Sequence, residues 1–169
     1  AALSDEIRNA RHFMARSVME GCAARTLADT GADTNFVSQD FVTKHGLVIT
    51  ACKPRAIRLG NNSLHHINTC VVAETYIGQM KFKVSYLVMP LAHGIDSVLG
   101  MSFFESERCI LDPEVRTLTF KPKGDRTTVE TVACMPLLSL TPNLTENDGA
   151  KYIKHSQRES TDVPLGLFS

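Results

Sequence analysis

The amino-acid sequence predicts an all-β domain, a closed, barrel-like body over about residues 15–121 with one or two short helices. Three observations lead there. Met80, Phe82, Val84, Tyr86 and Val88 alternate with Lys81, Lys83, Ser85 and Leu87, the period of a half-buried antiparallel strand. The other apolar runs are short and are divided by turn signals at Glu20-Gly21, Gly60-Asn61-Asn62-Ser63, Ile77-Gly78-Gln79 and Asp112-Pro113-Glu114. Helical patterning is confined to brief stretches, and no segment repeats.

Taken in order, residues 4–14 read as a short helix, with Ser4 as cap, Asp5 and Glu6 in the first turn, and Ile7, Ala10 and Met14 on one face. Residues 1–14 are therefore expected to form a helical arm. Residues 15–28 read as a hairpin that turns at Glu20-Gly21 and delivers Asp29 at its end. Asn35-Phe36-Val37 is a short strand. Ser38 to His45 is a two-turn helix capped by Ser38 and closed by Gly46, with Phe41 and Val42 inward. Pro54 closes a linker, Ala56 to Leu59 is a strand, and Leu64 to Tyr76 is a long strand region. After the alternating strand and a loop over Pro90 to Gly94, Ser97 to Gly100 is a buried strand and Met101 to Glu107 a short helix. Cys109-Ile110-Leu111 and Thr117 to Phe120 form a final hairpin. Residues 122–169 are expected to be a linker or tail, with a further strand available within Val129 to Leu140.

Composition narrows the function classes. Apolar residues make up 43% of the 169, enough for a real core. The 18 basic and 18 acidic residues balance, so there is no electrostatic footprint for nucleic acid. No apolar run approaches the roughly 20 residues that span a membrane. Cys22, Cys52, Cys70, Cys109 and Cys134 are scattered and odd in number, which fits reduced thiols and a cytoplasmic setting. Asn61-Asn62-Ser63 and Asn143-Leu144-Thr145 match the glycosylation pattern, and with no secretory signal at the N-terminus both read as chance.

The stretch with a distinct chemistry is Leu27-Ala28-Asp29-Thr30-Gly31-Ala32. Asp29 sits at the mouth of a strand, where backbone can hold its carboxylate. Gly31 allows a close backbone approach or a positive φ, and Thr30 brings a hydroxyl. Alone, the tetrapeptide is as well explained by a plain turn, because Asp-x-Gly is a common turn signal. If the carboxylate is catalytic, it needs a second. Two carboxylates held close cannot both ionise and so share a proton, one acting as base on water and the other as acid. The chain carries one Asp-Thr-Gly-Ala, so the partner carboxylate would come from an identical chain across a two-fold axis.

The surroundings favour the second reading. Residues Arg25 to Ser38, with Asp29-Thr30-Gly31-Ala32-Asp33 leading into Asn35-Phe36-Val37-Ser38, resemble the active-site segment of retropepsins, and are most similar to those of gypsy-class LTR retrotransposons. Tyr86 to Leu91 with Asp96 to Phe104, and Ile110 to Phe120, resemble two later blocks of the family in the same order. The resemblance covers about residues 16–120. It implies a closed retropepsin-type barrel that is half of a homodimeric acid protease. By that resemblance Asp29, Thr30 and Gly31 are catalytic, with Thr30 bonding across the dimer axis. Ala32, Asp33, Val98 and the flap tip Gly60, Asn61, Asn62 and Ser63 face substrate, and Leu99 and Gly100 support the catalytic loop from behind. Two positions depart from the family pattern. Asp33 is the retroviral form, yet Met101 stands where retroviral enzymes place the arginine that pairs with it, and the flap tip is rich in Asn.

Competing sites are weaker. Asp96 and Asp112 read as turn residues, and Asp40 as a helix-start acid. His65-His66 with Cys52 and Cys70 fits no zinc spacing. No cysteine has a partner histidine in a supporting motif, and there is no G-x-S-x-G. The expectation is thus an aspartic endopeptidase, homodimeric and free of metal or organic cofactor. It would act on extended polypeptide, and its natural role would be processing a retrotransposon polyprotein in the cytoplasm or in a virus-like particle. The alternatives are an inactive dimerisation or peptide-binding module of the same fold, or a domesticated cellular protease.

Overall fold

The computed structural model describes residues 12–59, 61–121 and 130–135. The opening hairpin pairs β1 (Phe13–Met19) with β2 (Cys22–Ala28) in unbroken register from Phe13↔Ala28 to Met19↔Cys22. Its turn is made by Glu20 and Gly21, both with positive φ (49° and 77°), the conformation that matches strand twist in a two-residue hairpin. β3 (Phe36–Ser38) runs into α1 (Gln39–His45). Ser38 accepts the Phe41 amide at the N-terminus of this helix, and Gly46 closes it at φ 61°. Then follow β4 (Thr50–Arg58), β5 (Leu64–Ile77), β6 (Met80–Met89), β7 (Ser97–Leu99), α2 (Met101–Ser106), β8 (Cys109–Asp112), β9 (Thr117–Phe120) and β10 (Glu130–Ala133).

Pairing in the order β1-β2-β7-β3-β6-β5, with β5 returning to β1, closes a six-stranded barrel. Closure removes the edges an open sheet would expose. β4 stands outside the ring, paired to β5 alone. β5 is long enough to serve three neighbours. Its first half holds β4, its second half runs along β6 from Cys70↔Leu87 to Ile77↔Met80, and Thr75–Ile77 meet β1. The alternation read from Met80 to Val88 is realised, with Phe82, Val84, Tyr86 and Val88 buried.

The core fills one end of the barrel with aromatic rings. Phe82 of β6 meets Phe103 of α2 and Phe120 of β9, each at 5.0 Å between centroids. Aromatic pairs of this kind add about 1 kcal/mol each beyond the area they bury. They dock α2 and the second sheet, ordered β10-β9-β8, onto the barrel. β1 ties that sheet down from the other side. Met14 and Met135 exchange backbone hydrogen bonds at 3.1 and 2.8 Å, and the Arg116 guanidinium lies 4.7 Å above the Phe13 ring.

Three expectations need correction. The helix read over residues 4–14 does not extend to its last residues. Phe13 and Met14 are strand, and Met14 is fully buried against Leu27 and Met135, because long-range pairing outweighs a weak local helical stripe. The rest of that helix, residues 4–11, lies outside the described residues. Pro54 does not close a linker but sits within β4, where register shifts between Ala51 and Arg55. An edge strand with a bulge is where a residue lacking an N–H is tolerated. Past 121, Glu130–Ala133 pairs with Thr117–Phe120, so folded chain continues beyond the boundary drawn there.

Candidate active site

Asp29 follows the last residue of β2, and its placement is settled by β7. The Asp29 amide donates to the Leu99 carbonyl at 2.9 Å, continuing the parallel ladder Thr26↔Ser97, Leu27↔Val98, Ala28↔Leu99. The chain then turns, with the Ala32 amide donating to the Asp29 carbonyl at 3.2 Å. Within this turn the Gly31 amide donates to Asp29 Oδ1 at 2.9 Å and fixes the orientation of the carboxylate. A Cβ on Gly31 would sit 3.2 Å from that oxygen. Of the two reasons the sequence offers for this glycine, close approach is therefore the operative one. Its φ is not positive. Asp29 is half-buried, while Thr30, Gly31 and Asp33 are exposed.

The loop is fixed from behind by Gly100 and the start of α2. A Cβ on Gly100 would lie 2.3 Å from the Thr34 carbonyl oxygen and 2.7 Å from that of Ala32, so no other residue fits without moving backbone. The Met101 and Ser102 amides, which as the first N–H groups of a helix have no partner within it, donate to Ala32 and Asp33 carbonyls at 2.7 and 3.2 Å. The buried Asn35 side chain accepts the Gly100 amide at 2.9 Å. Carbonyls and amides of the Asp29 loop and of the 99–102 segment thus satisfy one another, and the carboxylate is presented on a backbone with little freedom.

A buried chain of hydroxyls lies under the same strands, Ser17 to Thr26 at 2.6 Å and Thr26 to Ser97 at 2.8 Å. Asp96 joins β7 to its neighbours. Its carboxylate accepts from the Arg25 amide (2.8 Å) and Nε (3.3 Å), its own amide donates to the Arg25 carbonyl, and its carbonyl accepts from the Ser38 amide. Asp96 is therefore fully occupied in holding β2, β3 and β7 together, as a turn residue with a structural task and not a rival acid.

The structure distributes the remaining expected residues unevenly. Leu99 and Gly100 support the loop by direct contact. Ala32 and Val98, expected to face substrate, are both fully buried, Val98 between Leu27 and Phe36 in the sheet, so their side chains belong to the wall behind the loop. Among the described residues Thr30 and Asp33 have no side-chain hydrogen bond or ion pair. Met101 meets the loop through its backbone amide, bonded to the Ala32 carbonyl. Gly60 lies outside the described residues. Asn61, Asn62 and Ser63 form the tip of the β4–β5 hairpin. There Asn61 Oδ1 accepts from the Ser63 amide (3.0 Å) and hydroxyl (2.6 Å), and Asn62 takes φ 68° with its side chain accepting from Arg58 at 2.9 Å. Asparagine enters the left-handed region more readily than other side chains, which accounts for an Asn-rich tip.

Three participants were not singled out in the sequence. Asn35 opens a short apolar strand, and a polar residue in that place is a signal. Thr26, a hydroxyl inside Leu27's apolar run, is another. Arg55 gave no signal. From β4 it reaches the Thr34 hydroxyl at 3.0 Å and links the hairpin to the loop. Among the described residues no group of three His, Cys, Asp or Glu side chains could hold a metal, and no helix is long and apolar enough to cross a membrane.

The fold has a counterpart among solved structures. The crystal structure of the retroviral protease-like domain of Ddi1 from Leishmania major superposes with a TM-score of 0.54 at 12% identity, over 77% of this chain and 95% of that one. EIAV protease complexed with the inhibitor HBY-793 is more distant, at TM-score 0.44 and 13% identity, over 57% of this chain and 88% of that one. No curated protein sequence matches. Residues 16–103, from β1 through Asp29 to the middle of α2, match the family model described as aspartyl protease, and the chain belongs to that family, on a retropepsin-like fold.

Proposed function

We propose that the protein is an aspartic endopeptidase whose catalytic centre is completed by a second copy of the chain. The observation that carries this is the single Asp29 carboxylate, half-buried and hydrogen-bonded by the Gly31 amide on a loop braced by Gly100. One such carboxylate can bind or deprotonate a water but cannot also protonate the leaving amine. Two, brought together on a symmetry axis, share one proton. The ionised Asp29 takes a proton from the water as it attacks the peptide carbonyl, and the protonated Asp29 gives its proton to the carbonyl oxygen. Collapse of the tetrahedral intermediate returns a proton to the departing nitrogen. In this reading Thr30, exposed at the loop's apex, bonds across the axis.

Substrate is an extended polypeptide, held by main-chain hydrogen bonds beneath the hairpin that ends at Asn61–Ser63. Asp33, exposed and without a partner among the described residues, is available to substrate backbone. By the similarity of the Asp29–Ser38 segment to gypsy-class retrotransposon proteases, the natural role is processing of a polyprotein. The pH profile of cleavage is bell-shaped and lies on the acid side of neutral, because both the doubly protonated and the doubly ionised dyad are inactive. A flat profile from about pH 4 to about pH 8 would contradict the dyad.

The test is cleavage of an unstructured protein near pH 5, at a concentration where sizing shows a dimer. Wild type is run beside Asp29→Asn and beside a transition-state-mimicking inhibitor of aspartic proteases. Cleavage lost in both arms supports the proposal. A verified dimer that cleaves nothing overturns it in favour of a binding module.

A further inference from the structure

The root of the β4–β5 hairpin carries two cysteines. Thr50 pairs with Cys70 across the strands, and the Thr50 hydroxyl lies 3.3 Å from Cys70 Sγ. Cys52 is two residues further along β4, beside the pair Ala51↔Thr69, where the ladder breaks before resuming at Arg55↔Ile67. Side chains two apart on a strand share a face, so Cys52 and Cys70 are diagonal neighbours across the pair. The Cys52 thiol is close enough to Cys70 that, after burial, the neighbouring sulfur is the main influence raising its pKa, with Arg55 opposing. Both residues are partly accessible and neither is in a disulfide.

A diagonal pair in regular sheet is too widely spaced to be bridged without backbone movement. Here the break in register supplies that movement, because Cys52, Lys53 and Pro54 lie between two paired segments and are not held by the ladder. A second pair gives the contrast. Cys134 adds to the raised pKa of Cys109, but burial pushes Cys109 up to about 12 and Cys134 up to about 11, and Cys134 is 6% exposed. Thiols so placed yield little thiolate, and Cys134 is shielded from reagent as well.

We propose that Cys52 and Cys70 form a reversible disulfide that staples the root of the hairpin when the chain meets a low-molecular-weight disulfide. One thiolate attacks a sulfur of the reagent, which releases the other half as thiolate and leaves a mixed disulfide. The second cysteine's thiolate attacks the protein sulfur of that bond and expels the remaining half. The balance is two protein thiols and one small disulfide converted to one protein disulfide and two small thiols. The staple joins β4 to β5 where bulged pairing leaves them least constrained, and so restrains the hairpin that reaches from there to Asn61–Ser63.

The experiment is titration with oxidised glutathione, followed by thiol counting and peptide mapping without reduction. Two of the five thiols are expected to be lost, with a Cys52–Cys70 cross-link that dithiothreitol reverses and that is absent in both Cys52→Ser and Cys70→Ser. Hydrogen exchange at residues 61–66 should slow severalfold in the oxidised wild type and not in either variant. Separate glutathione adducts on the two cysteines without a cross-link, or loss of the Cys109 and Cys134 thiols first, would overturn the proposal. None of these readouts depends on peptide cleavage, so they stand apart from the proposed activity.

Discussion

The loop that carries Asp29 is braced by fully buried neighbours, Ala32, Val98 and Leu99 among them, whereas the β4–β5 hairpin is exposed along most of β4 and the first half of β5. The loop's polar groups are bonded to β7 and α2, elements far away in sequence. The hairpin tip is bonded to itself, through Leu59, Asn61, Asn62 and Ser63. Structures open most readily where few apolar contacts are buried and backbone bonds face solvent. The difference separates a carboxylate held on a braced loop from a hairpin that little else in the chain restrains. Arg55 to Thr34 is the described hydrogen bond that joins them.

Substitutions should affect the two regions very differently. Gly100→Ala drives a methyl into the Thr34 and Ala32 carbonyls and is expected to cost about 3 kcal/mol, read as a lower urea midpoint at unchanged slope. Asn35→Ala leaves the Gly100 amide buried without its acceptor and should cost about 2 kcal/mol in the same measurement. In the hairpin, Asn62→Gly relieves a positive φ and Arg58→Ala removes an exposed contact. Each should move stability by no more than about 0.5 kcal/mol. An Arg58 or Asn62 effect as large as that of Gly100 would erase the distinction. Exchange of amide hydrogens sharpens it, since Leu99 should exchange only on global unfolding and Ser63 through local opening.

The smallest effect is in α1, beside the loop's scaffold. Burial, and then the neighbouring Lys44, hold the His45 pKa below its ordinary value of 6.5, with Asp96 opposing. A histidine held low in the fold takes up its proton first in the unfolded chain. Its contribution is therefore complete at neutral pH and declines as pH falls through 6.5 toward the folded value. Because the ring is partly exposed, the decline should be slight, and it should vanish in His45→Gln.

Most of the barrel was legible because its signals are local. The period-2 run in β6, the Glu20-Gly21 turn, the Ser38 cap and the Gly46 stop each depend on a few adjacent residues. Asp29 and Gly31 were legible for the same reason. What could not be read was whatever depends on distant chain. Met14 looks helical until Leu27 and Met135 pair with it, and Pro54 looks like a break until β4 proves to be an edge. Asp96 reads as a turn residue and is one, but its bonds to Arg25 and Ser38 come from distant chain that no local signal shows. Ala32 and Val98 were placed by resemblance toward substrate, but position in a motif does not say which side of a loop a side chain takes.

The most direct test of a catalytic centre assembled from two copies is subunit mixing. Wild-type chain at fixed concentration is titrated with Asp29→Asn chain, and cleavage is followed at each ratio after equilibration. If each active site needs Asp29 from both copies, exchange should convert wild-type dimers to inactive mixed ones, and activity should fall steeply as the variant comes into excess. Activity that stays constant while sizing or cross-linking shows mixed dimers would contradict the shared dyad and place the chemistry within one chain.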